Sequence, residues 1–122
     1  MRALLIVAHG SRREDSNEEV RALTDAVAAR DDGLYDRVAC AFLELAEPSI
    51  PDGIRALMEE GVSDITVVPY FLSAGRHVVE DIPAEVARAG PLPPEVRVRI
   101  APYIGRSETM ADLLLSQGRA TV

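Results

Sequence analysis

The stretch ALLIVAHGS, residues 3–11, decides the fold. Its run from Ala3 to Ala8 is apolar without alternation, the pattern of a strand buried on both faces in a parallel sheet. The run breaks at His9 and Gly10, so an imidazole is delivered to the strand's carboxyl end. Two other stretches repeat the arrangement: ITVVPYF, residues 65–71, lies ahead of His77, and VACAFL, residues 38–43, lies directly ahead of Glu44.

Helical patterns fill the gaps. The first strand is expected over residues 2–8. Ser16 with Glu19 reads as a capping box, and Val20, Leu23 and Val27 follow at helical spacing in a helix that should end before Asp31, Asp32 and Gly33. The second strand is expected over 37–43. Ile50, Ile54, Leu57 and Met58 mark a second helix, with Pro51 in its first turn and Gly61 at its end. Residues 64–69 form the third strand. Pro83 suits a first turn, so the third helix should run from near Asp81 to Gly90, leaving His77 in a loop rather than on a helix face. After the rigid connector Pro91–Pro94, Val96, Val98 and Ile100 alternate with arginines as in a half-exposed edge strand. A final helix from Ser107 to about Gln117 should turn Met110, Leu113 and Leu114 inward.

Alternating strands and helices imply right-handed crossovers, hence a three-layer α/β sandwich over a four-stranded parallel sheet. The order 2-1-3-4 keeps the unalternating first and third strands central, buried on both faces. It puts the topological switch between them, where ligands of open α/β sheets bind. His9, Glu44 and His77 then meet at one rim. Two imidazoles and a carboxylate suit borderline divalent transition ions better than Mg²⁺ or Ca²⁺. Glu47 is the rival carboxylate, although it could equally cap the helix near Ser49. A charge between Leu43 and Leu45 is costly unless paired or metal-bound, which favours Glu44.

With 122 residues, 48% of them apolar, the chain is expected to be one domain, 1–122. Its net charge of −7, without a basic run, argues against a nucleic-acid surface. Ala3–Ala8 is too short to span a membrane and no cleavage site follows, so a soluble cytoplasmic protein is expected. The lone Cys40 excludes an internal disulfide and reads as a reduced, buried small hydrophobe. Ser11, Arg12 and Arg13 after Gly10, and Arg76 beside His77, are donors for carboxylates or phosphates; their ordinary reading is a solvated surface paired with Glu14 or Asp15. Tyr70, Phe71, Leu72 and Ser73 lie along the same edge, where the first three could wall a flat ligand, although core packing suits Leu72 better. Tyr103 and Gly105 fall on that rim as well.

Through LLIVAHGSRR, AFLELAEPSI and ITVVPYFLSAGRHVVEDIP, in this order over nearly the whole chain, the sequence resembles the small-form class II tetrapyrrole chelatases, the CbiX-type sirohydrochlorin chelatases. The resemblance implies a chelatase-like, flavodoxin-like half and insertion of Co²⁺, with Fe²⁺ or Ni²⁺ as alternatives, into sirohydrochlorin on the way to cobalamin, siroheme or a nickel tetrapyrrole. It carries the metal ligands onto His9, Glu44 and His77, and implies a homodimer with no tightly bound cofactor. Arg106 and Ser107 stand where relatives often have His-Pro. Catalysis would rest on His9 and His77, one imidazole taking a pyrrole proton, while Ser11, Arg12, Arg13, Tyr70–Ser73 and Arg76 would face the polycarboxylate ring. The competing readings are a non-catalytic metal or tetrapyrrole carrier, an inactive structural relative, and a phosphoryl-transfer enzyme with His9 as nucleophile. The last expects an arginine before the histidine, and Ala8 stands there.

Overall fold

The computed structural model describes residues 1–122. Strands β1 (Arg2–Ala8), β2 (Arg37–Phe42), β3 (Asp64–Pro69) and β4 (Arg97–Ile100) form one parallel sheet in the order β2-β1-β3-β4. Helices α1 (Glu14–Arg30), α2 (Ile50–Glu59) and α3 (Ile82–Ala87) connect them, and α4 (Thr109–Thr121) follows. The register pairs Val7 with both Ala41 and Pro69, so β1, β2 and β3 end level with one another. Residues just past those ends therefore share one rim.

The two faces of the sheet are covered unequally. On one, Ala3, Leu5 and Val7 of β1 with Ile65 and Val67 of β3 pack against Ile50, Ile54 and Leu57 of α2 and Ile82 of α3, all essentially inaccessible to solvent. This is the core. Helix α2 sits well here because Ser49 caps it by accepting from the Asp52 N–H at 3.2 Å, and Pro51 occupies its first turn. Gly61, at φ +95°, ends the turn beyond it.

On the other face α1 turns Asn17 and Thr24 inward, while Leu23 is 37% exposed. Leu4, Ile6, Leu23, Val27, Val68 and Leu113 are among the residues lining an open apolar groove there. Helix α4 has no buried residue, and Leu113, Leu114 and Leu115 are all more than half exposed. The expectation that Leu113 and Leu114 turn into a core is thus corrected, and β3 is fully buried on one face only. The cause is that α4 stands off the sheet and rests chiefly on the short 3₁₀ turn Ile104–Arg106. Cys40, on this same face, is half-buried rather than buried.

Three local expectations also change. Ser16 does not cap α1: the helix has begun by Glu14, and the Ser16 N–H already donates to the Arg13 carbonyl. Glu14 and Asp15 favour that early start, because carboxylates are stabilising at a helix N-terminus. Leu43 falls just outside β2, and Val96 outside β4. His77 is not in a loop but opens a π-helical turn, His77–Asp81, that runs into α3.

Opposite the rim, Asp64 accepts two hydrogen bonds from the Arg99 guanidinium at 2.9 and 3.1 Å, and Arg2 approaches it at 3.4 Å. These bonds, Arg99's first, hold the Asp64 carboxyl below its ordinary value of 3.8. On α1, hydrogen bonds from Arg21 and then Asn17 hold Glu14 below its ordinary 4.5. A carboxyl whose pKa is lower folded than unfolded stabilises the fold above its ordinary value and loses that contribution as pH falls through the depressed one. The urea midpoint should therefore decline below about pH 4.5, and Asp64→Asn should flatten that decline. A variant curve parallel to that of the parent would contradict the assignment.

Candidate functional site

Parallel pairing of β1 with β2 does not stop where the strands do. The Leu43 N–H donates to the Ala8 carbonyl at 2.9 Å and the Glu44 N–H to the His9 carbonyl at 3.0 Å. Gly10 then lies flush on the next peptide, at φ +93°; a Cβ built there would sit 1.7 Å from the Glu44 carbonyl oxygen. Only glycine fits both the dihedral and the contact. This closeness brings two loops 35 residues apart in sequence together, and His9 Nε2 meets Glu44 Oε2 at 2.8 Å.

Both loops are anchored from behind. Asn17, buried on α1, grips Ser11 from two sides: its Oδ1 accepts from the Ser11 N–H at 2.9 Å, and its amide N–H donates to the Ser11 carbonyl at 2.8 Å. Arg21, one turn on, donates to the Glu47 carbonyl at 3.1 Å and lies over the Phe42 ring. Leu45, immediately after Glu44, is held at φ +65°, a conformation an L-residue with a bulky side chain adopts only when its surroundings impose it.

The third group arrives differently. The chain leaves β3 at Pro69 and returns through residues 70–76 to the π turn, which His77 opens. Its ring centroid lies 4.5 Å from that of His9, with the planes tilted by 56°, so the rings are inclined rather than stacked. Nδ1 of His77 is 2.8 Å from Asp81 Oδ2. Leu43, Glu44, His77, Asp81, Ala84 and Glu85 line an open cleft of about 250 Å³. His9, Glu44 and His77 thus come together at one rim, each about half exposed.

No three His, Cys, Asp or Glu side chains are already arranged around an ion-sized centre. His9 and Glu44 are bonded to each other, and His77 to Asp81. Two ligands about 2.1 Å from a shared cation stand about 3.0–3.4 Å apart in octahedral or tetrahedral geometry. The 2.8 Å separation of His9 Nε2 and Glu44 Oε2 is therefore a small side-chain rotation short of a chelating pair.

Of the other residues singled out from sequence, Arg12 and Arg13 are exposed beside Ser11, whose Oγ accepts from the Arg13 N–H. Arg76 reaches Glu80 at 3.6 Å on the surface. Phe71 packs on the core and lies 6.4 Å, centroid to centroid, from His9. Tyr70 lines the apolar groove on the opposite face, away from the cleft, because strand alternation turns it away from Phe71. Leu72 is 73% exposed, which overturns its expected core packing, and Ser73 is exposed. Gly105 abuts the Leu72 backbone so closely that a Cβ would lie 1.9 Å from its carbonyl oxygen. Glu47 contributes a carbonyl to Arg21, and Ser49 is the cap of α2, so Glu44 is the carboxylate on His9. Sequence reading missed Asn17, Arg21 and Asp81. Asn17 could have been found as a polar residue at an inward position of α1, three before Val20; Asp81, four residues after His77, needed the π turn to be known.

Comparison with known proteins agrees with this picture. Residues 3–121 match the CbiX family. The chain is 35% identical over 106 residues to a sirohydrochlorin ferrochelatase of Bacillus subtilis, covering 87% of this chain and 40% of the relative. It is 40% identical over 83 residues to a sirohydrochlorin cobaltochelatase of Methanocaldococcus jannaschii, covering 68% of this chain and 57% of the relative. Among solved structures, the chelatase SirB from Bacillus subtilis subspecies spizizenii in complex with cobalt superposes with a TM-score of 0.83 at 32% identity, over 98% of this chain and 50% of SirB. A CbiX protein from Marinobacter aquaeolei VT8 gives 0.80 at 29% identity, over 99% and 97%. The chain thus spans about half the length of the curated relatives it matches.

The flush contact at Gly10 makes a direct test of how the rim is built. Gly10→Ala should destabilise the protein by about 2 kcal/mol or more, through the positive φ and the backbone clash. It should also separate His9 from Glu44, read as a shift of the His9 ring signals in a ¹H–¹⁵N correlation spectrum. An alanine variant of parental stability with unmoved His9 signals would refute the zippered loops.

Proposed function

We propose, from the premise that this chain belongs to the CbiX family, that it inserts a divalent metal ion into sirohydrochlorin. The observation that carries the reading is the meeting of His9 with Glu44 at 2.8 Å and with His77 at 4.5 Å between rings, at the carboxyl edge of the sheet. Co²⁺ is the proposed ion, with Fe²⁺ and Ni²⁺ as alternatives; an imidazole and carboxylate set accepts all three, so supply decides among them. Relatives named for cobalt and for iron support that breadth.

In this reading His9, Glu44 and His77 take the hydrated ion as substrate. An ionised carboxylate only accepts hydrogen bonds, so in the free protein His9 Nε2 carries the proton that faces Glu44. Loading the ion shifts that proton from Nε2 to Nδ1 by exchange through water, because a metal needs the Nε2 lone pair, and after turnover the Nδ1 proton leaves to water to restore the free ring. As the ion passes to the ring nitrogens, Nε2 is released and accepts one of the two pyrrole protons, re-forming its bond to Glu44 as an ion pair. The second pyrrole proton leaves to water through the open cleft. Two protons leave the ring for each divalent ion that enters, so the charge balances.

Arg12 and Arg13, both exposed just after Ser11, and Arg76, exposed and adjacent to His77 in sequence, supply positive charge for the substrate's carboxylates, with Ser11 as a further donor. Phe71 provides an apolar edge 6.4 Å from His9; Tyr70 is left out of this role. A cleft of about 250 Å³ holds a hydrated ion and not a tetrapyrrole, so the ring must lie across an open surface. A second copy of the chain closing over that surface accounts for the site's exposure. The chain, as one chelatase domain over residues 1–122, thus works as a homodimer. No helix is long and apolar enough to cross a membrane. We place the protein in the cytoplasm, where reduced Cys40 and a free ion pool coexist.

Mixing protein with sirohydrochlorin and Co²⁺ should shift the pigment's absorption bands over many turnovers at substoichiometric protein. A single stoichiometric change would favour the carrier reading. His77→Ala should lower the rate by about 100-fold or more while preserving the circular-dichroism spectrum, and parental turnover in that variant would remove His77 from the mechanism. Sedimentation should give twice the monomer mass of 13.2 kDa, and a monomer that turns over fully would dismiss the paired site.

A further inference from the structure

The π turn holds a carboxylate that the metal-insertion reading does not use. Asp81 Oδ2 lies 2.8 Å from His77 Nδ1, four residues along the same turn, and both side chains line the cleft that Glu44 borders. Both are about two-fifths exposed, at 43% and 38%. An exposed pair of this kind adds little to stability, so its consequence is geometric.

We propose that Asp81 is a positioning residue for metal transfer: it fixes the orientation and tautomer of His77, so that Nε2 is the nitrogen offered to the ion. This inference rests on the chelatase reading of the site. An ionised carboxylate cannot donate, so the bond requires the proton on Nδ1. The neutral ring then has its lone pair on Nε2, and rotation about χ2 that would present Nδ1 instead breaks the bond to Asp81. A carboxylate behind a ligating imidazole is the arrangement that sets ring direction and raises donor strength.

The π turn makes the bond possible. His77 opens it and Asp81 closes it, with the Ile82 N–H reaching back to the His77 carbonyl, five residues earlier. The widened turn leaves His77 at the rim while Ile82, the residue after Asp81, is fully buried against α2 and the sheet. Asp81 is thereby tied to the core, and it passes that fixity to an imidazole at the surface. His9 gets its fixity from the backbone pairing of its loop; His77, eight residues past the end of β3, has no such pairing and depends on a side-chain partner.

The test uses the full-length protein, with Co²⁺ alone as the probe in its visible absorption bands and ¹⁵N signals of the His77 ring as the second readout. In the parent, His77 should show a protonated Nδ1 and an unprotonated Nε2. Asp81→Ala should bring a mixture of tautomers and weaken Co²⁺ binding by about 10–100-fold. Asp81→Asn, whose Oδ1 still accepts from Nδ1–H, should recover most of that loss. Co²⁺ affinity within two-fold of the parent in Asp81→Ala would overturn the proposal. Equal losses in both variants would overturn it too, since charge and not the acceptor would then be responsible. Should the alanine variant fail to fold, the parental tautomer decides: a proton on Nε2 overturns the inference. Parental protein that binds Co²⁺ yet never metallates sirohydrochlorin would sink the chelatase reading instead, while the variants still decide what Asp81 does for His77.

Discussion

The site depends on backbone pairing that continues past the end of a strand. Two hydrogen bonds, from Leu43 to Ala8 and from Glu44 to His9, extend the parallel ladder into the loops, and Gly10 closes onto the Glu44 peptide. In most α/β sheets the loops beyond the carboxyl ends diverge toward their helices and leave a crevice between them. Here the space between the β1 and β2 loops is shut by the backbone itself, and an open cleft remains between the Leu43–Glu44 loop and the π turn with α3. The shut side fixes His9 against Glu44. The open side, lined by the π turn, is where a third group and an incoming ion find room.

That asymmetry divides the three groups into a pair held by loop backbone and a partner held by a side chain, Asp81. Asn17 and Arg21 reinforce the pair from α1, each by bonding to loop backbone rather than to the functional side chains. Fixing backbone leaves the imidazole and carboxylate free to rotate by the few tenths of an ångström that separate a hydrogen bond from chelation.

How much of this was legible from residues follows the same division. The order 2-1-3-4, the central places of β1 and β3 and the convergence of His9, Glu44 and His77 came from apolar runs and what ends them, although the unalternating run of β3 marked a central place rather than two fully buried faces. The choice of Glu44 over Glu47 rested on the cost of a charge between two leucines, but Glu44 and Leu45 are half exposed, and it is the extended β1–β2 backbone pairing that brings Glu44 to His9. The failures were of two kinds. Capping at Ser16 and a loop at His77 went wrong because local propensity carries no record of Asn17 holding Ser11 or of a helix widened to i+5 bonding. Leu113 and Leu114 went wrong because an apolar stripe states only that a face is to be covered, not that the same molecule covers it. Tyr70 went astray by one residue of alternation.

The state of the three groups in the free protein bears on why a chelatase would be built this way. A preformed cage of three ligands aimed at one point binds a borderline ion tightly, and the ion then has no reason to move to a macrocycle. In this chain two of the three ligands occupy each other, His9 Nε2 bonding to Glu44, while His77 is held from behind through Nδ1 by Asp81. An entering ion must replace the His9–Glu44 bond, which lowers its net affinity by the strength of what it displaces. When it departs that bond re-forms, and in doing so it offsets part of the cost of stripping the ion of its ligands. The contact that competes with the metal for its ligands therefore also helps to release it. A site that transfers an ion can be half-formed, exposed and self-paired for the same physical reason that a site which stores one must be closed.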